Sequence, residues 1–203
     1  MNILAFCSAL DKTYLAVQFG EKIIEKTIKS DENYHSLYLI QELKDIFSSN
    51  DLKFDDLDFV TVNCGPGSFT GIRVALSIAK IIAGELKKPL VPLDTAKILL
   101  ETYNCNKLIM DARRDMFFVG TKDKIELILK EKIEDYTNEA DKILVDKNSK
   151  EYFKNALCYE DENKNIAITM LKLAKDRYIS AKDKSEFDYL KTEANYIQTP
   201  PVF

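Results

Sequence analysis

Apolar runs and turn residues alternate regularly through the first ninety-odd residues of the chain. Residues 2–7 (NILAFC) are almost entirely apolar and predict a buried strand; residues 14–19 (YLAVQF) predict a second, with 8–13 as the connecting turn. After Gly20, residues 22–28 (KIIEKTI) alternate well enough for a third strand. From Tyr34 the period changes: Leu39, Ile40, Leu43, Ile46 and Phe47 fall at helical spacing up to Ser48. A β-branched run at 58–63 (DFVTVN) predicts a fourth strand, which meets the turn cluster Gly65, Pro66, Gly67, Ser68. Ser68 is placed to cap a long helix running through Ile72, Ala75, Leu76, Ala79, Ile82, Ala83 and Leu86 until Lys87, Lys88 and Pro89 end it. Residues 90–93 predict a short fifth strand.

The second half repeats the opening weakly. Residues 107–110 predict a strand, 111–115 a polar turn and 116–121 its hairpin partner. From 122 to 165 charges are dense and apolar positions sparse, and residues 166–178 (IAITMLKLAKDRY) then form one amphipathic helix. Strands followed by helices, twice over, predict an α/β protein of two lobes with mixed sheets flanked by helices, divided near residue 100 into 1–100 and a smaller 101–203.

Composition narrows what such a fold does here. At 203 residues and 46% apolar content the chain supports real cores. Its N-terminus enters a strand without a basic leader or cleavage site, and no apolar stretch is long enough to span a bilayer, so the expectation is a cytoplasmic protein with no membrane partner. Cys7, Cys64, Cys105 and Cys158 show no metal-ligand spacing and His35 is the single histidine, which argues against an intrinsic metal site. A net charge of -4 with signs mixed throughout offers no basic stripe for nucleic acid.

The sharpest local signal is the run Gly65, Pro66, Gly67, Ser68, Phe69, Thr70, Gly71, Ile72, Arg73. A strand that ends in a glycine-rich turn and feeds a helix is one way to aim backbone N–H groups at an anion. The glycines equally suit a turn that lets the helix start pack close to the sheet, with Arg73 pairing to a carboxylate. It is not a phosphate loop of the Walker type, because Ile72 stands where that motif has lysine. The following helix is apolar around most of its circumference, so it must be covered on both sides, by this chain or by a partner.

The run GPGSFTGIRVALSIAK at 65–80, together with Asp111-Ala112-Arg113-Arg114-Asp115 about forty residues later, a first strand ILAFCS and the pair His35-Ser36, resembles the TsaB (YeaZ) family over nearly the whole chain. The resemblance implies a two-lobed actin-like (ASKHA, ribonuclease H-like) fold with a reduced second lobe. It implies a noncatalytic subunit for tRNA N6-threonylcarbamoyladenosine (t6A) formation that binds and activates a TsaD-like catalytic subunit, with a TsaE-like ATPase as further partner and tRNA met only through the complex. It implies no intrinsic cofactor, with ATP or ADP, where held, at the complex interface. The family's pairing surface comes from its first two helices, which here puts His35, Leu39, Leu43, Ile72, Ala75, Leu76, Ala79, Ile82 and Ala83 at the expected interface, with substitutions at Ala75 or Ala79 expected to break pairing and leave the fold intact.

Departures from the family pattern matter. Cys7-Ser8-Ala9 replaces an Asp-Thr-Ser run whose carboxylate sits near metal and phosphate in actin-like ATPases, and Gly120 is the only glycine of the second half. The closing segment Asn195-Tyr196-Ile197-Gln198 lacks the family's arginine. Ser68 and Thr70 have no positioned base, so a capping role is expected of the hydroxyl. His35, at a helix start, suits an interface contact better than catalysis. Asp111, Arg113, Arg114 and Asp115 are expected to satisfy one another in a hairpin turn. Two other classes remain open: a free-standing ASKHA-type ATPase or kinase using the loop for phosphate, and a homodimeric scaffold built on the same helices.

Overall fold

A computed structural model describes residues 1–29 and 35–197, with the side chains of residue 29 and residues 35–37 left aside. It divides into two compact units: Met1–Asp94 with Asn165–Asn195, and Thr95–Lys164 with the residues from Tyr196 on.

In the first unit β1 (Ile3–Cys7), β2 (Lys12–Phe19) and β3 (Lys22–Lys29) form an antiparallel meander, and β4 (Phe59–Asn63) and β5 (Leu90–Leu93) add in parallel to β1, giving the order β3-β2-β1-β4-β5. Ala5 at the centre faces Ala16 on one side and Thr61 on the other. All five residues of β1 and of β4 are buried, as expected of strands covered on both faces. Alternation along β1 sends Leu4 and Phe6 to a core shared with α1 (His35–Ser49) and α2 (Phe69–Leu86). The opposite face meets α4 (Ile166–Ser180), where Phe59 packs against Tyr178 at 4.8 Å between ring centroids. Asn165 caps α4 by accepting from the Ala167 N–H, and its amide also donates to the carbonyls of Leu15 and Lys26, tying the helix start to β2 and β3.

The second unit repeats this plan. β6 (Lys107–Arg113), β7 (Met116–Gly120) and β8 (Ile125–Leu129) form the meander, while β9 (Ile143–Val145) and β10 (Leu157–Cys158) run parallel to β6, so the order β10-β9-β6-β7-β8 mirrors the first sheet strand for strand. Its core joins Ile109, Phe117, Val119, Ile128, Val145 and Cys158, and α3 (Thr95–Tyr103) packs on β6 and β9. Gly120 makes that packing close: a methyl group there would lie 2.9 Å from the Ala96 Cβ. Two mixed sheets flanked by helices, each in the same order, constitute the expected ribonuclease H-like architecture.

The expected division at residue 100 needs correction. That residue lies inside α3, and the boundary falls between Asp94 and Thr95. Nor is 101–203 one lobe, since residues 165–195 return to cover the open face of the first sheet, which would otherwise expose β1 and β4.

Candidate functional site

The glycine-rich loop is held by its own chain at almost every step. β4 ends at Asn63, whose side-chain oxygen accepts from the Gly65 N–H at 2.6 Å. The Ser68 N–H donates to the Ala9 carbonyl at 2.8 Å, and the Ser68 hydroxyl caps α2 by accepting from the Gly71 N–H at 3.3 Å. The Ser8 hydroxyl donates to the Gly71 carbonyl at 2.8 Å. From the other side the Asn195 N–H donates to the Cys64 carbonyl at 2.7 Å. Three amides that an anion cradle would present, those of Gly65, Ser68 and Gly71, are therefore aimed at acceptors within the first unit, and the geometry favours close packing over phosphate capture. The glycines fit that role: a Cβ on Gly67 would stand 2.3 Å from the Ala9 carbonyl oxygen, and one on Gly71 would stand 1.8 Å from that of Ser8. Pro66 is buried beside them, Phe69 is half-buried, and Thr70 and Arg73 are exposed on the first turns of α2.

The residues expected to meet a partner lie on α1, before this loop, and on α2, after it, and most of them are buried within the chain. Leu39, Leu43, Ile72, Ala75, Leu76, Ala79 and Ala83 are all buried in the first unit's own core, with Ala75, Ala79 and Ala83 fully inaccessible, and Ile82 is half-buried against it. A helix apolar all round does not reveal which face is inward, and the alanines lie inward because their small side chains let α2 approach β4 and β1 closely. The outward face is different. Val74, Ile78 and Ile81 fall at i, i+4 and i+7: Val74 is half-buried, Ile78 is half-buried with one side against the core, and Ile81 is 64% exposed, while α1 exposes Tyr38 and Ile40. His35 opens α1, but its side chain lies outside the described residues, as do Ser36's and Gln198.

Cys7, at the end of β1, is wholly buried. Desolvation lifts its thiol from the ordinary 9.0 to about 12, only partly offset by hydrogen bonds from the Ala9 backbone and the Asn63 side chain. Burial, with the Asp94 charge adding to it, pushes Cys64 to about 12 as well. Both stay protonated at neutral pH, which suits packing and not nucleophilic attack. Among the described residues no group of histidine, cysteine, aspartate and glutamate could hold a metal ion, and no helix is long and apolar enough to cross a membrane.

In the second unit the Asp111–Asp115 turn does not satisfy itself as expected. Arg113, Arg114 and Asp115 all take left-handed backbone angles, at φ 61°, 49° and 55°, around a bulge in the β6–β7 pairing. Asp111 pairs with Lys130 at 3.1 Å, and among the described residues neither arginine makes an ion pair; both are exposed. Asp111 and Lys130 line an open cavity of about 400 Å³ with Lys147, Asn148 and Glu151. These last three belong to the charge-dense stretch between 122 and 165, where no periodicity or motif singles them out.

Comparison with known proteins follows the same lines. The family model described as "TsaD: tRNA N6-adenosine threonylcarbamoyltransferase" matches residues 22–185. The chain is 33% identical over 99 residues to the tRNA threonylcarbamoyladenosine biosynthesis protein TsaB of Buchnera aphidicola subsp. Acyrthosiphon pisum, covering 49% of this chain and 44% of that one. It is 28% identical over 128 residues to the protein of the same name from Bacillus subtilis, covering 59% and 54%. The matched regions thus span about half the length of these curated relatives. In fold it is similar to YeaZ from Pseudomonas aeruginosa, with a TM-score of 0.75 at 16% identity over 96% of this chain and 99% of that one.

Proposed function

Because the chain belongs to the family defined by the tRNA N6-adenosine threonylcarbamoyltransferase TsaD, and within it to the TsaB (YeaZ) members, we propose that it takes part in t6A modification of tRNA as a noncatalytic subunit that binds and activates a TsaD-like enzyme. The observation that carries the noncatalytic reading is the loop closed on itself: the amides of Gly65, Ser68 and Gly71 are engaged within the chain, and the neighbouring Cys7 is buried and protonated. Such a site offers little to a nucleotide phosphate or its metal, which weighs against the free-standing ATPase.

Pairing is proposed through the outward faces of α1 and α2, around Tyr38, Ile40, Val74, Ile78 and Ile81, in place of the buried positions that the sequence suggested. A homodimer would use the same surface and compete with the heterodimer. A TsaE-like ATPase joins the assembled pair, any ATP or ADP is held at the junction, and tRNA is engaged through the complex, in the cytoplasm where tRNA resides.

The test mixes the purified chain with the TsaD-like protein of the same organism, follows the mass of the complex by light scattering, and assays t6A formation with each protein singly and together. A one-to-one complex with activity only in the mixture is the expected result. ATP turnover by this chain alone, with no complex, would replace the proposal by the enzyme reading.

A further inference from the structure

The cavity in the second unit is built like a binding site, although nothing in the pairing function uses it. Its walls are polar; Lys130 and the backbone of the 146–151 turn are held in place, while the side chains of Lys147, Asn148 and Glu151 are exposed. Asp146, 7% exposed, accepts from the Asp111 N–H through one carboxylate oxygen and from the Ser149 N–H through the other, both at 2.9 Å, so it fastens the 146–151 turn to the end of β6. The Lys147 N–H is fastened in turn to the Glu160 carboxylate at 2.9 Å. Lys130 is located by three groups at once: Asp111 at 3.1 Å and the rings of Phe117 and Tyr152, each 5.1 Å from its ammonium. A fixed turn backbone and a located Lys130 remove part of the ordering penalty of binding.

The lining carries two positive and two negative side chains, but only one pair is matched internally. Asp111 and Lys130 pair with each other; the Lys147 ammonium, the Glu151 carboxylate and the Asn148 amide make no hydrogen bond or ion pair among the described residues. Lys147 feels the nearby Asp161 charge without forming an ion pair with it, and Glu151 makes no ion pair among the described residues, so a ligand carrying both signs engages each. At about 400 Å³ the space is at the small end of ligand pockets and suits a compact molecule.

We propose that this cavity binds a small zwitterion of the α-amino acid class, with its carboxylate held by Lys147 and Asn148 and its ammonium by Glu151 and the outer oxygen of Asp111. The site does not depend on partner pairing, so its test uses the isolated full chain. Nitrogen-15-labelled protein is titrated with glycine and L-serine, and separately with acetate, methylammonium and inorganic phosphate, while the amide signals of Lys130 and of 146–151 are followed. Glycine or L-serine is expected to shift those signals saturably, about tenfold more tightly than acetate or methylammonium, and Lys147→Gln and Glu151→Gln are each expected to weaken binding about tenfold with an unchanged urea midpoint. No shift at about 10 mM amino acid, where even a Kd of 1 mM is saturated, would overturn the proposal. So would acetate or phosphate binding as tightly as the amino acids, or variants that bind as the parent does.

Discussion

Gly71 and Ser8 lie in such close contact that they act as one structural unit: the Ser8 hydroxyl donates to the Gly71 carbonyl at 2.8 Å, and a single methyl on Gly71 would fall 1.8 Å from the Ser8 carbonyl oxygen. Ser8 is buried, and no flexible side-chain end can yield, because the obstructing atom is backbone. Gly71→Ala is therefore expected to lower stability by about 3 kcal/mol through overpacking, and Ser8→Ala by about 1–2 kcal/mol through the lost bond to a buried carbonyl. Urea denaturation of the two variants checks both, with Gly71→Ala the more damaging.

The inward and outward faces of α2 separate folding from pairing. Ala79→Glu places a charge where no solvent reaches and is expected to leave the chain largely unfolded by circular dichroism. Ile81→Glu lies 64% exposed and is expected to change stability by no more than about 0.5 kcal/mol, while weakening assembly with the TsaD-like partner at least about tenfold, as for loss of an apolar interface contact. Unchanged assembly with Ile81→Glu would move the pairing surface elsewhere.

Alkaline pH should be a specific weakness. Cys7 and Cys64 have folded-state values raised by burial from 9.0 to about 12, so the folded chain holds protons that the unfolded chain releases. The stability linked to them is fully present below pH 9 and is lost as pH rises towards 12, by up to about 1.4 kcal/mol per pH unit for each thiol. Chemical denaturation at pH 8 and pH 10.5 is expected to show this fall, and Cys64→Ala to reduce its slope. At pH 8 a thiol reagent is expected to leave both unmodified in the native state and to label them after unfolding.

Asp146 ties the 146–151 turn to β6 through two backbone N–H groups. Asp146→Ala removes the acceptor of the Asp111 N–H, while the Ser149 N–H keeps the residue-146 carbonyl at 3.2 Å, and it is expected to remove about 1–2 kcal/mol of stability from the second unit, with faster amide exchange at Asp111 as its local signature. Protection equal to the parent's would show that water replaces the carboxylate.

What the sequence reveals and what it hides follow physical lines. The strands β1, β2, β4 and β5 stand out as apolar runs and β3 by its alternation, and α2 because Ser68 and Pro89 bracket it. α3 does not, since only Asp94 separates it from β5, with no glycine or proline between them to mark the change of element. β9 and β10, three and two residues long, exist through pairing with β6 and with each other, which no local period records. The glycine loop was visible as a motif, but the Ser8 and Ala9 carbonyls that explain it lie about sixty residues away in the chain. Lys147 and Glu151 are ordinary charges in a charged stretch until the fold sets them beside Asp111 and Lys130.

The return of α4 to the first sheet also sets an order of events during synthesis. At roughly 5–20 residues per second, the seventy or so residues between β5 and α4 separate the emergence of a nearly complete sheet from that of its second cover by about 4–14 s. Through that interval the Ile3, Ala5 and Phe59 face is an uncovered apolar surface on the nascent chain, while the whole second sheet is made in the meantime. The first unit to begin is thus the last to close, and the interval before α4 arrives is when a ribosome-associated chaperone has something to hold.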